Sequence, residues 1–155
     1  MNLSLKMLGL AVVVTVSGWA GGTALSQDKD KIVTERQELM KQQGRQWVVI
    51  RNYLQEKADH AAALSAAEAL AKSVPTVAKD FPPGTGIGEV SIKTRAKPEI
   101  WQEHDKFLAA EKTVAGQITA VEAALKSGDK AKIEVAFKEL DGCNGCHKEF
   151  RAPAQ

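Results

Sequence analysis

The sequence predicts an all-α chain folded as an antiparallel up-down-up-down four-helix bundle. Three observations predict it. Apolar residues recur at helical spacing in four stretches, no run alternates apolar and polar residues as a half-buried strand would, and only one long Pro- and Gly-rich connection interrupts the chain. Short links between the remaining stretches make neighbouring helices antiparallel, and four amphipathic helices bury their stripes most economically against one another.

The stretches follow in order. Lys6 precedes the apolar run "MLGLAVVVTVSGWA" and the small residues of "GGTALSQ". That pattern is a secretory signal, shorter than the roughly 20 residues of a membrane span, with Ala24-Leu25-Ser26 before the cut and Gln27 as the mature start. Residues 1–26 are thus expected to be a signal peptide and 27–155 a single bundle domain, periplasmic and without stable membrane insertion.

The first helix is expected from about Asp28 to Lys57, with Ile32, Leu39, Met40, Trp47, Ile50 and Leu54 on its apolar stripe. The second, about Ala58 to Ala78, is alanine-rich through "HAAALSAAEALAKSV" and reads as a surface helix, with Pro75 marking a kink or early end. The connection "FPPGTGIGEVSIKTRAKP", residues 81–98, breaks any helix. Pro98 suits the first turn of a third helix carrying Ile100, Phe107, Val114, Ile118, Val121 and Leu125, and Gly128 suits its C-terminal cap. Asp129 is the N-cap of a fourth helix running to about Phe150, on which Ile133, Phe137, Leu140 and His147 share a sector of roughly 80°.

The formal net charge of +2, with no basic block, excludes a nucleic-acid partner. The two cysteines both lie in "DGCNGCHKEF", residues 141–150. Cys143 and Cys146 are neighbours on one side of a helix, and His147 follows directly. C-x-x-C-H is the spacing of covalent haem attachment: two thiols add to the two porphyrin vinyl groups, and the adjacent imidazole reaches the iron. A thioredoxin-like pair belongs after a strand at a helix start, and a zinc site needs four ligands where only His60 and His104 remain as nitrogen donors. One haem c, held by two thioethers, is the expected cofactor.

Residues 28–155 also resemble the class II cytochromes c, the family that includes cytochrome c prime, through "RQELM", "KPEIW", "SGD" and "CNGCHKEFR" in that order. The resemblance implies a four-helix bundle with its haem near the C-terminus. It places Met40 at the distal position, where five-coordinate members carry an apolar side chain and bind small gases. The segment "ELMKQQGRQW" is similar to the low-spin branch, in which a methionine is the sixth ligand. By the same resemblance Arg36 and Gln37 approach the haem propionates, Arg151 lies on the proximal side, and Trp101 and Phe150 pack near the haem. Gly44, one turn after Met40, suits a close approach by a helix or the haem edge, while His60 and His104 are expected to be exposed and idle.

The expected function is an exported one-electron carrier with His147 and Met40 as axial ligands and no bond-making catalysis. The alternative is a five-coordinate, gas-binding cytochrome c prime. A haem-free helical module is a third. The expected partners are redox proteins of unspecified identity, and a second copy of the chain in a homodimer. Lys93, Arg95 and Lys97 are left with two readings, a docking edge for an acidic redox partner or a propionate contact.

Overall fold

A computed structural model describes residues 21–140 and 142–154, with side chains from Asp28 onward. The leader expected over residues 1–26 lies outside the described residues as far as residue 20. Helix α1 spans Gly21–Leu54, α2 His60–Ser73, α3 Glu99–Gln102, α4 His104–Ser127, α5 Lys130–Glu139 and α6 Gly142–Phe150, with a 3-10 turn at Val74–Asp80. The architecture is the predicted four-helix bundle, its last arm being α5 and α6 together. Among the described residues no helix is long and apolar enough to cross a membrane.

Local chemistry explains most boundaries. Helix α1 closes where Glu56 takes a left-handed φ of 60° and Lys57 N donates to Asn52 O at 2.8 Å. The Asp59 side chain accepts from Ala62 N at 2.7 Å and so starts α2. Pro75 sits in the 3-10 turn that ends it, as expected. Gly128, at φ 69°, caps α4, and Asp129 accepts from Lys132 N to start α5.

Three expectations change. The third arm breaks at Glu103, whose φ −119° and ψ 46° are not helical. The fourth breaks at Leu140, φ −76° and ψ 65°, just before the Asp-Gly pair at 141–142, a turn signal. Ile133 and His147 therefore do not share one helical wheel. Finally, α2 is no surface helix. Ala63, Ala66, Ala67 and Leu70 are buried between α1 and α4, because small side chains let those helices approach closely.

The main core joins Ile50 of α1, that alanine stripe, Val114, Ile118, Val121 and Leu125 of α4, and Ile133 and Leu140. A second cluster joins Ala96, Ile100, Phe107 and Phe150, with Phe81 and Phe150 packed edge to face on Phe107 at 5.1 and 5.2 Å between centroids. The third-arm stripe is buried as predicted. On α1 only Ile50 of the expected stripe is buried, together with Val33 and Arg36, while Ile32, Leu39, Met40, Trp47 and Leu54 are half-buried.

Loop 81–98 is tightly built. A Cβ at the buried Gly86 would stand 2.7 Å from Trp101 Cζ3 and 2.8 Å from Glu89 Oε2. Trp101 has little room to retreat, since its Nε1 donates to Phe81 O at 2.9 Å. Gly86→Ala is therefore expected to cost about 1–3 kcal/mol by overpacking. Urea unfolding checks it, and an unchanged midpoint would show that the ring yields freely.

Candidate functional site

Among the described residues, the bundle has one edge that helix packing does not close. Helix α1 packs on α2, α2 on α4, and α4 on both α5 and α6, whereas α1 and α6 make no comparable approach. Met40 lies on α1 two turns before Trp47 and so shares its face, and Cys143, Cys146 and His147 lie on α6. Two links span the edge: Trp47 stacks on Phe137 at 4.5 Å between centroids, and loop 81–98 joins the first half of α1 to the chain's last residues. Between them, Met40 is half-buried, and a Cβ added at Gly44 would meet no atom within 4 Å. Among the described residues no helix approaches Gly44 closely, which leaves the haem edge of the two approaches its sequence allows.

The cysteines are free and half-buried. Cys143 packs against the main core and Cys146 against the aromatic cluster. Burial raises both thiols, and for Cys146 the neighbouring Cys143, Glu111 and Glu149 help to push it up to about 11. Neutral thiols of this kind are poor metal ligands and poor redox nucleophiles. Among the described residues no three His, Cys, Asp or Glu side chains gather as a metal cluster.

His147 is half-buried, and neither ring nitrogen has a hydrogen-bond partner among the described residues. Its pKa is lowered by burial first, then by Arg151 and Arg95. That keeps the imidazole neutral, the form that ligates a metal. A flat cofactor needs an edge free of helix packing, two adjacent thiols and an unengaged neutral imidazole, and this edge offers all three. The residues fit a covalently attached haem.

Arg36 and Gln37 stand differently from expectation. Arg36 is 3% exposed, and its guanidinium donates to Asp80 O, to Thr85 Oγ1 and O, and to Thr94 Oγ1 at 2.9–3.2 Å. It also stacks 4.2 Å from the Phe81 ring centroid. Burial lowers its pKa to about 10, with Asp80 opposing, so it stays cationic at neutral pH. Gln37 Nε2 donates to Lys93 O at 2.7 Å. Both side chains thus hold the loop.

Arg95 and Lys97 are engaged with the C-terminal residues through Ala152 O and Glu149 O. His60 is not idle, since its Nε2 stands 2.8 Å from Leu125 O and ties α2 to the end of α4. His104 is exposed, as expected. Phe150 and Trp101 belong to the aromatic cluster beside Cys146. Sequence reasoning missed Glu111, whose Oε1 accepts from Ala78 N at 2.7 Å. The signal was there: an acidic residue between Phe107 and Val114 on a stripe otherwise apolar.

Fold and site together define a helical-bundle haem protein of the C-x-x-C-H type. Residues 31–151 match the Cytochrome C' family profile. The chain belongs to the cytochrome c' family. It is 37% identical over 99 residues to a cytochrome c' of Rhodospirillum rubrum, an alignment covering 63% of this chain and 60% of that protein. The aligned part spans less than two thirds of the curated relatives it matches, 60% and 54% for the first two. Among solved structures, cytochrome c' from Rubrivivax gelatinosus is 27% identical with a TM-score of 0.69, over 78% of this chain and 94% of that one. A further cytochrome c' of this fold, 23% identical with a TM-score of 0.73 over 81% and 97%, is described as having an unusual ligand-controlled dimer dissociation.

Proposed function

We propose that the chain is an exported, periplasmic cytochrome c' with one covalent haem whose iron keeps its sixth position for small gases, Met40 lining that position without ligating. Membership of the cytochrome c' family supports this over the expected His/Met carrier, since by resemblance the distal side chain of the cytochromes c prime packs and does not bind. The single observation that carries it is the match of residues 31–151 to the cytochrome c' family; the open α1–α6 edge supplies room for the haem under either ligation.

When bound, the haem supplies an iron that changes by one electron and takes a gas such as nitric oxide or carbon monoxide at an open axial position. The chain supplies the rest. Cys143 and Cys146 would hold the haem through two thioethers, each formed by net addition of S–H across a vinyl group, which calls for no oxidant. His147 presents a neutral imidazole. Arg36 and Gln37 hold the loop at the pocket rim. No bond-making catalysis is proposed. Redox partner proteins would reset the iron, and a homodimer is checked by sedimentation.

A second reading, His/Met ligation and simple electron transfer, is favoured by Met40 itself, a half-buried thioether on the inward stripe. Absorption spectra of ferric and ferrous protein, with and without carbon monoxide, separate the two. The expected result is a broad high-spin spectrum that shifts with the gas and is nearly unchanged in Met40→Leu. Sharp low-spin bands, a weak far-red ferric band and indifference to carbon monoxide would establish methionine ligation.

A further inference from the structure

Segment 80–97 bridges the one edge that helices leave unpacked, and it is fastened at both ends. On α1 it takes the four donations of Arg36, the Gln37 amide at Lys93 O, and Asp30, whose carboxylate accepts from Ser91 N at 3.0 Å and from the Ser91 hydroxyl. On the α6 side Lys97 N donates to Phe150 O at 3.1 Å and Ala152 N to Arg95 O at 2.9 Å, around an antiparallel bridge of Ala96 with Arg151. Arg95 Nε and Lys97 Nζ add donations to Ala152 O and Glu149 O at 2.6 and 2.5 Å. Within the segment, Ile87 N donates to Ala96 O at 3.0 Å, Gly86 N donates to Glu89 Oε2 at 2.9 Å, and Gly86 lies against the Trp101 ring without room for a Cβ, so the segment neither stretches nor collapses as a slack loop would.

The attachment points stand in register with the axial positions. Arg36 and Gln37 lie one turn before Met40 on the same continuous helix. Phe150 and Arg151 lie one turn after His147. A methionine side chain has three rotatable bonds and a soft sulfur, so its ability to reach a metal depends on how near its helix comes.

We propose that segment 80–97 is a spacer strap that fixes the separation of the Met40 helix from the His147 helix and thereby keeps the Met40 thioether off the iron. This rests on the five-coordinate reading. Arg36, Gln37, Ser91 and Thr94 are its positioning residues: they touch neither gas nor iron and act through α1.

The test uses haem-loaded protein carrying Gln37→Leu, Ser91→Ala and Thr94→Val, which loosens the α1 attachment while leaving the Arg36 pin. Amide exchange over 85–95 should quicken, a low-spin ferric fraction should appear, and carbon monoxide should bind about tenfold more weakly, as when only about a tenth of molecules keep the position open. Adding Met40→Leu should restore the high-spin spectrum and the affinity. Faster exchange with spectrum and affinity unchanged would overturn the spacer and leave the five-coordinate reading intact. Unchanged exchange would overturn it too, because the three links would then hold nothing. A low-spin wild type would sink both readings, and only that outcome shows in the unmutated protein.

Discussion

The Cys143→Ala, Cys146→Ala variant is expected to emerge without covalent haem and as a partly molten chain. The structure says which part should loosen. Helix α1 is held by its α2 face, by the strap and by the Trp47–Phe137 stack, and among the described residues nothing stands over Gly44. The α2–α4 interface, by contrast, is continuous through Ala63, Ala67, Ile118 and Val121. Far-ultraviolet dichroism should therefore stay helical while near-ultraviolet dichroism weakens and unfolding broadens. Sharp unfolding with native-like near-ultraviolet signal would count against it.

The thiols themselves give a pH dependence in unmutated protein made without haem attachment, provided by the part of the fold in which α6 packs on α4 and not by the loosened α1. Folding raises Cys146 to about 11, so in the window above the ordinary thiol pKa the native state holds more protons than the unfolded one. Stability is then fully present below that window and is lost as pH rises through it. Alkylation of Cys146 should correspondingly be slow at pH 8 and quicken toward 11. Protein loaded with haem should show no free thiol at any pH, since a thioether does not titrate.

What was legible in the sequence is what local chemistry decides. Gly128 and Asp129 stop and start helices through their own backbone and side chain, and the stripe from Ile100 to Leu125 shows in its spacing alone. The site motif was legible for the same reason, being three residues within five. What failed depended on partners distant in the chain. Alanines read as a surface face until α1 and α4 are seen to close on them. Leu140 remains buried across a helix break, so apolar periodicity ran through a turn that the Asp-Gly pair marked. The strap was least legible, because Thr85 and Thr94 are 49 and 58 positions from the arginine they bind and no spacing announces them.

Arg36→Leu should accordingly be the most destabilising single change at the strap, by about 3–5 kcal/mol, because it leaves several buried acceptors without a donor at once. The size follows from what is left behind. Thr85, fully buried, loses the donors to its hydroxyl and its carbonyl, Asp80 O and Thr94 Oγ1 each lose one, and each unmet buried acceptor costs on the order of 1–3 kcal/mol. Leucine also forfeits the stacking on Phe81. Arg36→Lys should recover only part, because one ammonium offers three donors from a single point where the guanidinium reaches four oxygens in a plane. The control is Lys41→Ala. Its pair with Glu38 is just as short at 3.2 Å, but side-chain exposures of 65% and 59% leave such a pair worth about 0–1 kcal/mol. Urea midpoints of the three variants, at constant slope, decide the matter: equal small shifts for Arg36→Leu and Lys41→Ala would mean that the loop oxygens find water once the arginine is gone, and that the arginine does not hold the strap.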